Sequence, residues 1–173
     1  SNVFGTVVHN YLMEPDTASF QSFSPEENFS FDFVILKFIQ ELLSGQQQPS
    51  DPANLRLSVF SAKEDGSLDN ASLLGVTFLN LYNPNPAQEQ TFSFDAPISV
   101  EKDKTYWLAL DISYGPGHFR NVWKNALAGG NPYLRGQAGS GFGNGSNPGT
   151  DMFSVMEVGD IDWYFKIGRK LYF

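Results

Sequence analysis

Apolar and polar residues alternate at a period of two through much of this chain, the spacing of strands that bury one face. The clearest run is Phe29, Phe31, Phe33 and Ile35, with Ser30, Asp32 and Val34 between them. Leu55, Leu57 and Val59 repeat the spacing, as do residues 90–94 (QTFSF). In residues 105–112 (TYWLALDI), Trp107, Ala109 and Asp111 fall on one face and Tyr106, Leu108 and Leu110 on the other. Residues 161–167 (IDWYFKI) put Ile161, Trp163, Phe165 and Ile167 together, which predicts a closing strand deep in a sheet. Residues 34–43 also fit a helical stripe through Ile35, Ile39 and Leu42, but the phenylalanine alternation runs straight into them and favours a strand.

Turn chemistry separates these runs. GQQQPSDP at 45–52, EDGS at 64–67, NPNP at 83–86 and EKDK at 101–104 each interrupt an apolar segment. Further strands are expected at 3–8 (VFGTVV), 18–23 (ASFQSF) and 152–158, and the Gly- and Asn-rich residues 115–149 read as long loops with short strands at 119–123 and 132–135. About ten short strands with few helical segments predict an all-β chain, an antiparallel β-sandwich of jelly-roll type, with a closed barrel as the alternative. Residues 18–173 read as a single domain, preceded by an N-terminal segment or peripheral strand at 1–17.

Composition supports one buried core. Of 173 residues, 41% are hydrophobic and 16 are Phe, enough apolar surface to argue against global disorder. The net charge of −8 excludes phosphate-backbone binding as a default, because that needs clustered Lys and Arg. No Lys or Arg precedes Lys37, so the first part of the chain repels polyanions and anionic lipid. The longest apolar run, 33–39, contains Lys37, so no membrane insertion is expected. With no Cys there is no disulfide or thiolate site.

The order of segments carries a resemblance. SFQSF leads to the phenylalanine-rich strand, LRLSVFSAKEDGSL follows, then TFSFDAPISVEKDKTYWLAL, a loop with NPYLRGQAGSG, and a final GDIDWYFKIG. Over roughly residues 18–168 this resembles the choice-of-anchor-like β-sandwich modules of secreted and cell-surface bacterial proteins, also seen in phage tail proteins. In that pattern a Gly stands before the Tyr-Trp pair, where this chain has Asp103-Lys104. The resemblance implies a non-catalytic module at an extracellular or cell-surface location.

Candidate chemistry is sparse. His9 and His118 have no ligand partner at metal spacing, and no G-x-S-x-G elbow occurs, so no catalytic residue, metal or cofactor is assigned. Asp65, Ser67, Asp69 and Asn70 place oxygen side chains as a calcium loop would, but without a bidentate acid, and a plain turn is the preferred reading. Asn28, Asn70 and Asn144 open N-x-S acceptor motifs. Tyr114, Trp123 and Tyr133 lie in or beside the Gly-rich loops, where exposed rings stack on sugar faces, and Arg120 and Arg135 are placed to bond hydroxyls. These five residues form the candidate ligand-binding set. The expected function is therefore adhesion or glycan recognition, with a glycan or surface polymer as partner. The alternative is a structural subunit of a filament, extracellular matrix or virion that self-associates by strand addition.

Overall fold

The computed structural model describes residues 10–13, 17–40, 53–81, 88–114, 119–124, 135–143, 153–159, 162–163 and 165–170. Among them there is no helix, and every strand pairing is antiparallel. The strands are β1 (Asn10–Met13), β2 (Thr17–Phe23), β3 (Phe29–Gln40), β4 (Ala53–Ala62), β5 (Leu68–Leu81), β6 (Gln88–Val100), β7 (Tyr106–Tyr114), β8 (Phe119–Lys124), β9 (Ala138–Phe142), β10 (Ser154–Gly159), β11 (Asp162–Trp163) and β12 (Phe165–Gly168). One sheet runs β1-β8-β3, with β6 and β12 also on β3 and β11 on β8; the other runs β10-β9-β2-β7-β4-β5. Of the first eight strands, β1, β3, β6 and β8 belong to one sheet and β2, β4, β5 and β7 to the other. β1, within the segment 1–17, is hydrogen-bonded to β8. The expected strand at 3–8 and the breakers at 45–52 and 83–86 lie outside the described residues.

The two sheets enclose one core, a sandwich-like arrangement. Phe31, Val34, Leu36 and Phe38 of β3 and Phe92, Phe94, Ile98 and Val100 of β6 meet Leu55, Leu57 and Val59 of β4 and Leu108 and Leu110 of β7. Each such side chain contributes about 1.5–3 kcal/mol on burial. The alternation in β3 is not the simple one expected. Phe31 is buried, but beyond Asp32 the buried set shifts to Val34, Leu36 and Phe38, while Phe33 and Ile35 are half-buried. The cause is a break in register, with Phe31 opposite Ile98 and Phe33 opposite Ser93, so that β6 carries extra residues through Pro97. Proline is tolerated there because, among the described residues, β6 pairs only with β3 and the ladder is already interrupted.

The second sheet buries much of its other face too. Ala18, Phe20, Phe60, Leu68, Trp107, Ala109 and Phe153 form a separate cluster. Phe153 lies edge-on to Phe20 and Phe60, with ring centroids 5.9 and 5.6 Å away, and the Arg56 guanidinium sits 5.2 Å from its centroid. Arg56 and Asp111 are directly opposed on β4 and β7 and bond bidentately at 2.9 and 2.6 Å, both buried. Asn70 clamps Phe153 from both sides: its amide donates to the Phe153 carbonyl at 3.0 Å and its oxygen accepts the Phe153 N–H at 2.8 Å.

Strands number twelve among the described residues, where about ten were expected. In the stretch 115–149, β8 falls where a short strand was expected at 119–123, and β9 is a further strand that pairs with both β2 and β10. One glycine there answers to crowding: a Cβ on Gly143 would stand 2.9 Å from Asp111 Oδ2 and 3.0 Å from the Phe153 ring. The closing run divides into β11 on β8 and β12 on β3, and Phe165 and Ile167 pack partly buried against the main core.

Candidate functional site

At the end of the molecule where β4 passes to β5 and β6 to β7, two turns and a short segment meet. In the first turn Lys63 N–H donates to the Ser67 carbonyl at 2.8 Å, and Asp65 accepts both the N–H and the hydroxyl of Ser67 at 3.0 and 2.5 Å. Gly66 has φ +85°, a conformation in which an L side chain is strained. In the second turn Asp103 stands at φ +62°. That is where the resembled pattern carries Gly; Asp is one of the few side chains that tolerate the left-handed region, so the turn survives the departure. The Asp103 N–H is held by the Pro25 carbonyl at 2.9 Å.

Residues 135–137 complete the site. Ser22 N–H donates to the Gln137 carbonyl, and Gln137 N–H to the Ser22 hydroxyl, each at 2.9 Å. Arg135 forms an ion pair with Asp103. Between these elements lies a cleft of about 390 Å³ lined by Ser22, Ser24, Asp65, Thr105, Arg135 and Gln137, with Trp107 on its wall. The Trp107 indole N–H donates to the Gly66 carbonyl at 2.9 Å. A second cleft of about 490 Å³ shares Gly66 and Thr105 and continues past Lys63, Glu64, Asp103 and Lys104.

Charges in the joined clefts are balanced, three cations (Lys63, Lys104, Arg135) against three acids (Glu64, Asp65, Asp103). The Ser67 hydroxyl and then its N–H hold the Asp65 carboxyl below its usual value, so at neutral pH it is an acceptor. The Ser72 hydroxyl and then the Ala71 N–H do the same for Asp69. Lys104 is raised by its hydrogen bond to Glu101. These local turn bonds engage Asp65 Oδ1 and both Asp69 carboxylate oxygens, and Asn70 is engaged by Phe153. Among the described residues no group of three or more His, Cys, Asp or Glu is placed to hold a metal ion.

Of the five residues singled out in the sequence, Arg135 lines this cleft. Tyr114 ends β7, about 27 Å from Tyr106 at ~3.4 Å per residue and so at the opposite end of the sheet. Arg120 lies opposite Leu12 and Ile39, and Trp123 opposite Trp163, in the other sheet. Tyr133 lies outside the described residues, as do His9, His118 and the side chains of Tyr114, Arg120 and Trp123. The backbone thus separates Arg135 from Tyr114 and Arg120. Ser24, Thr105 and Gln137 carry no mark in the sequence; only the EDGS and EKDK turns hinted that polar groups would gather here. A scan against protein-family models and a search of curated proteins found no match.

Proposed function

We propose that this chain is a non-catalytic binding module of an extracellular or cell-surface protein, and that it recognises a neutral glycan in the cleft around Arg135. The carrying observation is the cleft itself: hydroxyl, carboxylate, amide and guanidinium groups converge beside Trp107 with no net charge. Its volume lies in the range of small-ligand sites. Neutral polyhydroxylated ligands need paired donors and acceptors rather than a field of one sign.

The strand order β1-β8-β3-β6 facing β2-β7-β4-β5 supports the jelly-roll form of the sandwich. Lectin and capsid domains share that architecture, an analogy that favours recognition or assembly without choosing between them. A glycan array with the intact chain tests the proposal. Arg135→Ala and Gln137→Ala should each weaken binding about tenfold, the scale of one lost hydrogen bond. Binding that depends instead on Trp123 and Tyr133, or no binding at all, overturns the cleft.

The second reading is a structural subunit that assembles by strand addition. Its support is that β5 and β10 each pair on one side only among the described residues. Removing residues 1–12 should then abolish association; unchanged association refutes it.

A further inference from the structure

The outer face of β4 and β5 carries an exposed apolar row. Leu73, Val76 and Phe78 are 52%, 42% and 55% exposed, and Leu74 is 42% exposed at an irregularity in the pairing with β4. Four such residues within six positions give on the order of 400 Å² of apolar surface, the size at which a patch marks an interaction site. Beside the row lies a groove of about 220 Å³ lined by Phe60, Phe153, Arg56 and Ser58. Asn70 stands at one end of the row and the hydrogen-bonded Asn54–Asn80 pair at the other, a polar rim around an apolar centre.

We propose that this face is the interface of a two-fold homodimer, a second copy of this chain being its occupant. Charge selects the occupant. Each copy carries −8, so two copies approach without acid facing acid only where acids are absent, and residues 70–81 contain no charged residue. Arg56 and Asp111 behind the row neutralise each other. A basic partner finds no carboxylate here and an acidic partner no cation, whereas an uncharged apolar row rimmed by Asn is complementary to itself. In such a contact the same patch serves both copies, and Val76, between Leu73 and Phe78, falls near the axis. About 400 Å² per copy is half of the ~800 Å² of a standard interface, so the dimer is weak.

Sedimentation of the whole chain from about 1 µM to about 1 mM tests this, a span that covers weak affinities. The apparent mass should rise with concentration from 19.2 kDa toward twice that value. Val76→Glu and Val76→Lys should each weaken dimerisation at least tenfold with unchanged melting temperature, and an equimolar mixture of the two should restore it. A wild-type chain that stays monomeric, a Val76→Glu variant that associates like wild type, or a mixture that does not recover overturns the proposal. Growth beyond two copies also overturns it and points to strand addition.

Discussion

The two faces of the second sheet use the same strands and reach opposite compositions. Toward the first sheet, Leu55, Leu57 and Val59 alternate into a dry apolar core. On the other side Arg56, Ser58 and Phe60 meet Asp111, Ala109 and Trp107, and the cover comes from the Phe153 segment. The inner face depends on exclusion of water. The outer face depends on a paired charge and on one aromatic ring tied down by Asn70, and it grades into exposed Val76 and Phe78. An apolar cluster therefore does not by itself mark the centre of a sandwich.

Substitutions can break or sharpen this contrast. The largest effect is expected from Asp111→Ala, which strands the buried Arg56 guanidinium and should cost about 3–5 kcal/mol in denaturant unfolding. Replacing both partners, as Arg56→Met with Asp111→Leu, should return most of that loss, because the pair's Coulomb attraction largely offsets its desolvation. If the double variant is as unstable as the single one, the pair does more than satisfy itself. Leu57→Ala, on the fully buried inner face, should cost about 2–5 kcal/mol, whereas exposed Val76→Ala should stay within about 0.5 kcal/mol.

A smaller loss, about 1–3 kcal/mol, is expected for Asn70→Ala, since both Phe153 backbone bonds go together. Faster hydrogen exchange in β10 with β7 unaffected would accompany it, and loss of protection throughout would show that the outer cluster is not a separate unit. The smallest effect belongs to the turns and follows pH. Asp65 and Asp69 have folded values below the usual 3.8. Their stabilisation is therefore present above that value and is lost as the pH falls through the depressed folded values. The melting temperature of Asp65→Asn with Asp69→Asn should fall less steeply than wild type between about pH 4 and 2; parallel curves would contradict the assignment.

Much of the fold was legible because period-two patterning reports one buried face. The opposed faces of Trp107 and Leu108 in β7 follow directly from it, as does the phenylalanine entry into β3. The signal failed where geometry departs from a regular ladder. The parity change after Asp32 depends on extra residues in a strand some sixty positions away, which no local window contains. β9 was hidden by its glycines, which carry little strand propensity, and Gly143 just after it answers to Phe153 and Asp111 packed against it. The cleft was least legible: Ser22 meets Gln137 at a separation of 115 residues and Ser24 meets Thr105 at 81. Side chains as ordinary as these acquire a role only through topology; of the cleft lining, Arg135 stood out beforehand as a ligand residue and Asp65 only as part of a turn.

The most direct test of the proposed cleft is a titration of isotope-labelled chain with the best-binding neutral glycan from the array, followed by NMR. The Trp107 indole N–H and the backbone amides of Gly66, Thr105 and residues 135–137 should shift together and saturate at one ligand per chain. Shifts that gather instead around Tyr114, Trp123 and Tyr133, with the Trp107 indole unmoved, would contradict it.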